Sequence, residues 1–274
     1  MKELRRGRKG GRWWWVGAMV LSLLLIGPAF ELPAEDCQVA EEQGGMQFPV
    51  AQLDAGTRCL IGDVVNRYTT SGLIGPVQAP IAQELYEYLL DRPVMLALLV
   101  QRLELGAYQV AEKAQHQFWV NDGEGTQGLF TLLYQDQGHR IYHVTGYHEG
   151  QLFPMVRAKA VVFMSIQPVQ TQDGHPTVET ALRVYTRLND PILAGLVRIL
   201  SPLLGDAVTR TLAKGFTVIN QLGSLAARDP DRITKEVAAL SSIESDQRQR
   251  LTALLKALSR PTAQRQPAAR PASP

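Results

Sequence analysis

Glu112 and His116 are the side chains of this sequence best suited to acid–base work. Read as one strand, Tyr108 to Val120 puts Tyr108, Val110, Glu112, His116, Phe118 and Val120 on one parity. The other parity reads Gln109, Ala111, Lys113, Gln115, Gln117 and Trp119. A carboxylate and an imidazole facing an apolar space would have displaced pKa values. They could transfer protons or orient the polar head of a ligand. A solvated pair on a twisted or edge strand is the plain alternative. His139, His143 and His148 lie close in sequence. A metal site needs converging ligands with a supporting shell, and His148 has the opposite parity to His139 and His143. The expectation is therefore no metal and no cofactor. Gly123-Glu124-Gly125-Thr126-Gln127-Gly128 lacks the Lys-Ser/Thr and the helix of a phosphate cradle and reads as a turn. The chain has no Gly-x-Ser-x-Gly elbow.

Two cysteines, Cys37 and Cys59, pair as one disulfide if the body lies in an oxidising compartment. The N-terminus supports that compartment. Lys2, Arg5, Arg6, Arg8, Lys9 and Arg12 precede an uncharged run from Trp13 to Phe30. This is the build of a signal peptide over residues 1–34, and the run is also near the minimum for an uncleaved anchor. The body is thus expected to be periplasmic or secreted, or else tethered to the membrane.

Composition excludes several classes. The chain has 274 residues, 45% hydrophobic and 20% charged, too apolar for a disordered chain. Mean hydropathy of -0.08 excludes a polytopic membrane protein. The net charge of +2 is unevenly placed. Residues 1–34 hold six Lys/Arg against two Glu, and the tail holds Arg265 and Arg270, which leaves Glu35–Arg260 near -4. No basic surface for nucleic acid follows.

The elements that would position these residues alternate in kind. Tyr68 to Ile74 reads as a strand, Ile81 to Leu90 as an amphipathic helix, and Pro93 to Leu103 as a second helix. Four antiparallel strands come after the Tyr108–Val120 strand: Gly128 to Tyr134, His139 to Tyr147, Arg157 to Gln167 and Thr177 to Leu188. Their alternation implies one wet and one dry face. Pro191 opens a helix through Leu200, and a long helix carries Val208, Leu212, Phe216, Ile219 and Leu222 to Arg228. Two more helices lie within 229–260, and Pro261–Pro274 reads as a disordered tail. Residues 35–67 form a disulfide-tied N-terminal segment, and 68–228 the main domain.

Gly75-Pro76-Val77-Gln78-Ala79-Pro80-Ile81 leads into Glu84-Leu85-Tyr86-Glu87-Tyr88-Leu89-Leu90-Asp91, and Thr186-Arg187-Leu188 leads towards Lys214-Gly215-Phe216. With this element order, the stretch from Tyr68 to Arg228 resembles the helix-grip fold of the SRPBCC superfamily, which includes START-like lipid-transfer domains. The resemblance implies an α+β fold: a curved antiparallel sheet wrapped around a long C-terminal helix, here with additional C-terminal helices. It implies an apolar cavity for a hydrophobic small molecule, foremost a lipid. No catalytic residue carries over.

The cavity-wall residues expected on this basis are Tyr108, Phe118, Phe130, Tyr134, Met164, Val184, Leu212 and Phe216, with Glu112, His116 and His143 as polar contacts. An apolar helix pair beside the mouth could touch a bilayer transiently. Two other functions remain open: a cyclase- or hydrolase-type enzyme using Glu112 and His116, and a non-catalytic adaptor of the cell envelope.

Overall fold

In a computed structural model, the described residues are 37–149, 155–171, 176–191, 193–195 and 201–258. The expected signal or anchor at 1–34 and the tail from Pro261 lie outside them, as does most of the helix expected from Pro191. Its start is visible: Asp190 Oδ1 accepts from Leu193 N at 3.0 Å.

The fold is α+β. A short β1–β2 hairpin (Glu42–Gln43, Met46–Gln47) and a 3-10 turn at Val50–Gln52 precede α1, Ala55–Val65. Asp54 starts α1 by accepting from Thr57 N at 2.9 Å. Strand β3, Thr70–Ala79, leads to α2 (Gln83–Leu90) and α3 (Pro93–Arg102). Pro93 stands in the first turn of α3, where its missing N–H costs nothing. Six more strands come next: β4 Gln109–Ala114, β5 Gln117–Asn121, β6 Thr126–Gln135, β7 His139–His148, β8 Val156–Gln170 and β9 Pro176–Leu188. Helix α4 is Ser201–Arg228, then α5 Pro230–Ala238 and α6 Ser245–Leu258. Asp229 caps α5 and Pro230 opens it, as the sequence predicts.

The seven long strands form one antiparallel sheet in the order β3-β9-β8-β7-β6-β5-β4. The first strand closes against the last, and the rest run as a meander. Helix α4 packs along β3. It also reaches the β5–β6 turn through an ion pair between Lys214 and Glu124. It therefore spans the inner face of the sheet, which is the arrangement of a helix-grip-like fold.

Two expectations of the sequence change here. The single strand Tyr108–Val120 is a tight hairpin: Ala114 pairs with Gln117, and Gln115-His116 make the turn. His116 takes φ +60 there. No Gly or Asn marks that turn, so periodicity alone ran through it. The second change concerns the face expected to be wet. Ile141, Val161, Phe163 and Tyr185, on the outer side of β7–β9, pack against Phe48, Val50, Leu53, Ile61 and Val64. The N-terminal segment thus covers the outer face with a second core. Its centre is Phe163, fully buried, with its ring 5.1 Å from that of Phe48. Asp63 of α1 fastens this cover to the sheet, meeting Lys159 Nζ at 3.2 Å, Arg187 Nη1 at 2.5 Å and Arg67 beside it. The Cys37–Cys59 disulfide, formed as expected, closes the segment on itself.

Candidate functional site

Strand pairing assigns every inward side chain. One row across the inner face runs Val110, Val120, Gly128, Gly146, Ala158 and Leu188. The next runs Phe118, Phe130, Val144, Ala160 and Thr186, and a third Leu132, Tyr142, Val162 and Val184. These rows divide into two halves. On β3, β8 and β9 the inner side chains Ile74, Val162, Met164, Ile166, Leu182 and Val184 are buried. They pack against α2, α3, α5, α6 and the Leu222–Ala226 end of α4 in one continuous core.

On β4 to β6 the picture differs. Val110, Phe118, Val120, Phe130 and Leu132 are half-buried. Among the described residues, none of the five packs against either buried core. Beside them lies a bare patch. Gly128 faces Gly146, and Ala158 is next in the same row. A Cβ on Gly146 would stand 2.4 Å from the carbonyl oxygen of Gln127, so this strand crossing admits no side chain. The two aromatic rings of Phe118 and Phe130 thus stand next to a strip of sheet with almost no side-chain bulk.

The boundary between the halves is polar. Arg140 and Tyr142 point inward from β7, on the parity of Val144. Arg140 is 3% exposed and its Nη2 lies 2.7 Å from Asp91 Oδ1 at the end of α2. Its Nε is buried without a partner among the described residues. Thr180 Oγ1 donates to Tyr86 Oη at 3.3 Å. Burial pushes the Tyr86 hydroxyl up to about 12, and it raises that of Tyr142. Both phenols stay neutral at any ordinary pH. Arg140 and Tyr142 are absent from the residues expected at the site, although the inward parity of β7 contains them.

The expected site residues separate by face. Phe118, Phe130, Met164 and Val184 lie on the inner face, the first two on its open half and the others in its filled half. Tyr108 lies just before β4, half-buried. Its hydroxyl is raised by burial and by the charges of Asp122 and Glu124, with Lys214 opposing, so it stands by the α4 contact with the β5–β6 turn. Leu212 and Phe216 are on α4 but outside the residues whose side chains are described.

Three residues leave the expected face and a fourth is exposed on it. Glu112 pairs with Phe118 and keeps that parity, exposed on the edge strand β4. His116 is exposed in the turn after it. Tyr134 comes after an irregularity in register between Leu132 and Tyr134. A bulge adds a residue and reverses the side that the next one faces. Tyr134 therefore pairs with outward-facing Ile141 and donates to Asp136 Oδ2 at 3.0 Å. His143 pairs with Thr131 and Val161, on the outer face. It is 8% exposed, and its Nε2 has no partner among the described residues. Burial lowers its pKa, Lys159 adds to that, and Asp63 opposes it.

Among the described residues, no three of His, Cys, Asp and Glu converge as metal ligands. No described helix is long and apolar enough to cross a membrane.

No family model matches the chain. No curated protein matches it either. Solved structures do. A conserved protein from Geobacillus kaustophilus is 10% identical, covering 57% of this chain and 95% of its own length, with a TM-score of 0.41. Ara h 8.0201 is 11% identical, covering 56% of this chain and 95% of its own length, with a TM-score of 0.33. Likenesses of this strength decide nothing by themselves; strand order and side-chain placement define the site.

Proposed function

We propose that residues 68–228 are a helix-grip domain of the SRPBCC superfamily that binds a hydrophobic small molecule, foremost a lipid, between the sheet and α4. The observation that carries this reading is the open half of the inner face. Val110, Phe118, Val120, Phe130 and Leu132 stay half-buried beside Gly128 and Gly146, while the other half of the same face is filled. Protein interiors are close-packed, so concave apolar space beside a well-packed core is where an apolar ligand gains most. Each buried CH₂ contributes about 0.8 kcal/mol. An acyl chain therefore needs no strong polar anchor. Tyr108 and Tyr142, both neutral phenols, flank this space and provide hydrogen-bonding groups for a ligand's polar end.

The disulfide supports an exported protein, periplasmic or secreted, because such bonds persist in oxidising compartments. An apolar ligand entering and leaving a domain of this kind makes transient contact with a bilayer.

The test is native mass spectrometry of the chain purified from its own host. The expected result is a bound adduct that organic extraction identifies as a lipid or similar apolar compound. Phe130→Asp should remove the adduct without unfolding the chain. A clean apo mass, unchanged after incubation with mixed lipids, would refute the reading.

A further inference from the structure

A groove of about 430 Å³ opens on the other side of α4. Its floor is Leu103, Leu105 and Leu225; its walls include Thr217, Asn220, Gln221 and Ser224, and Arg228 and Arg232 close one end. The volume lies in the range of small-molecule sites, and the lining sets three leucines beside a larger number of polar side chains.

The two arginines are placed by a chain reversal. Arg228 ends α4, Asp229 turns the chain, and Arg232 sits in the first turn of α5. Both guanidinium groups therefore face the same groove. Among the described residues, neither has a carboxylate within ion-pair distance. The nearby acids are used elsewhere: Asp229 Oδ1 caps α5 by accepting from Arg232 N at 3.0 Å, and Glu236 Oε2 lies 2.8 Å from Arg102 Nε. Arg228 donates through its Nε to Ser224 O at 3.2 Å, which leaves the outer nitrogens of its fork towards the groove. Two unneutralised cations at one concave site repel each other unless an anion lies between them. Asn220 and Gln221 add amide groups to the same wall.

We propose that this groove is a second binding site, for a small organic phosphate with a short apolar body. A phosphate monoester accepts paired hydrogen bonds from guanidinium groups. The apolar body lies on Leu103, Leu105 and Leu225. This site is separate from the space under the open half of the sheet and does not depend on a lipid being bound there.

Isothermal titration with hexyl phosphate, inorganic phosphate and hexanol tests it on the full chain at low salt. Hexyl phosphate should bind one site at least about tenfold more tightly than either fragment, since both the charge and the apolar floor contribute. Arg228→Gln with Arg232→Gln should weaken it by at least about tenfold. Both residues are exposed, so the folded state should survive, and thermal unfolding checks this. Phe130→Asp should leave hexyl phosphate binding unchanged. Absence of saturable binding would overturn the proposal, as would equal binding of hexanol. Loss of binding in Phe130→Asp but not in the arginine variant would place the ligand under the sheet instead. Arginine-dependent binding to phosphatidic acid vesicles that hexyl phosphate does not displace would assign the arginines to a membrane surface and equally overturn it.

Discussion

Phe48→Ala measures how much the N-terminal cover contributes to the fold. Phe48 is 2% exposed, with ring centroids 5.1 Å from Phe163 and 5.2 Å from His139. A buried Phe removes roughly 150–250 Å² from water. At about 25 cal/mol per Å² that is roughly 4–6 kcal/mol. Alanine keeps part of it, and buried Phe→Ala changes cost about 3–5 kcal/mol. The lower figure applies here, because a short disulfide-closed segment can settle towards the sheet and shrink the void. Urea unfolding should therefore report a loss of about 3 kcal/mol. If the cover opens before the rest unfolds, the loss appears in hydrogen exchange instead. Amides of α1 around Ile61 and Val64 would then lose about 100-fold in protection while those of β8 keep theirs. A double-mutant cycle with Phe163→Ala should show a coupling of roughly 0.5–1.5 kcal/mol from the ring pair. Leu60→Ala is the control: Leu60 is 37% exposed on the same helix and should cost little. A loss under about 1 kcal/mol for Phe48→Ala, with no change in α1 exchange, would refute a second core on the outer face.

Two further predictions concern the polar groups beneath that cover. Burial alone would raise the Asp63 carboxyl, but hydrogen bonds from Lys159 and Arg187 and their charges outweigh it and hold the pKa below 3.8. Asp63→Asn should cost about 1.5–3 kcal/mol by urea unfolding near neutral pH. The stabilisation from Asp63 is fully present above its ordinary pKa and should fade in the native protein as pH falls through the lowered value. His143 works in a different window. Its folded pKa lies below 6.5, so the unfolded chain takes up the proton first as pH falls. Stability is present above about pH 6.5 and is lost as pH falls through the folded value. His143→Phe should flatten the decline in urea midpoint between about pH 7.5 and 5, and an identical slope in both proteins would remove His143 as its cause.

Period-two alternation in the sequence is enough to locate β8 and β9 and to pair their faces correctly. Val162, Met164 and Ile166 share a side, as do Val184 and Leu182, because successive strand residues point oppositely whatever surrounds them. Asp229-Pro230 and Pro93 open helices for equally local reasons, a side-chain cap and a dispensable N–H. Cys37 and Cys59 are legible as a pair from their number and from the cationic-then-apolar sequence at the N-terminus.

Three features required the folded chain. The turn at Gln115-His116 has no residue that advertises φ +60, so its effect on His116 is invisible to a periodic reading. The irregularity after Leu132 turns Tyr134 outward, because one added residue inverts everything that relies on parity. Most of all, parity states which residues share a face but not what lies against it. Phe163 and Tyr185 stand among Arg157, Lys159, Arg183 and Arg187, which makes their face look solvated. It is covered because Phe48 and Ile61, far away in sequence, lie on it. Local chemistry therefore determined most elements and the alternation of their faces, whereas contacts between distant segments decided which half of the inner face was filled and that the outer face was covered.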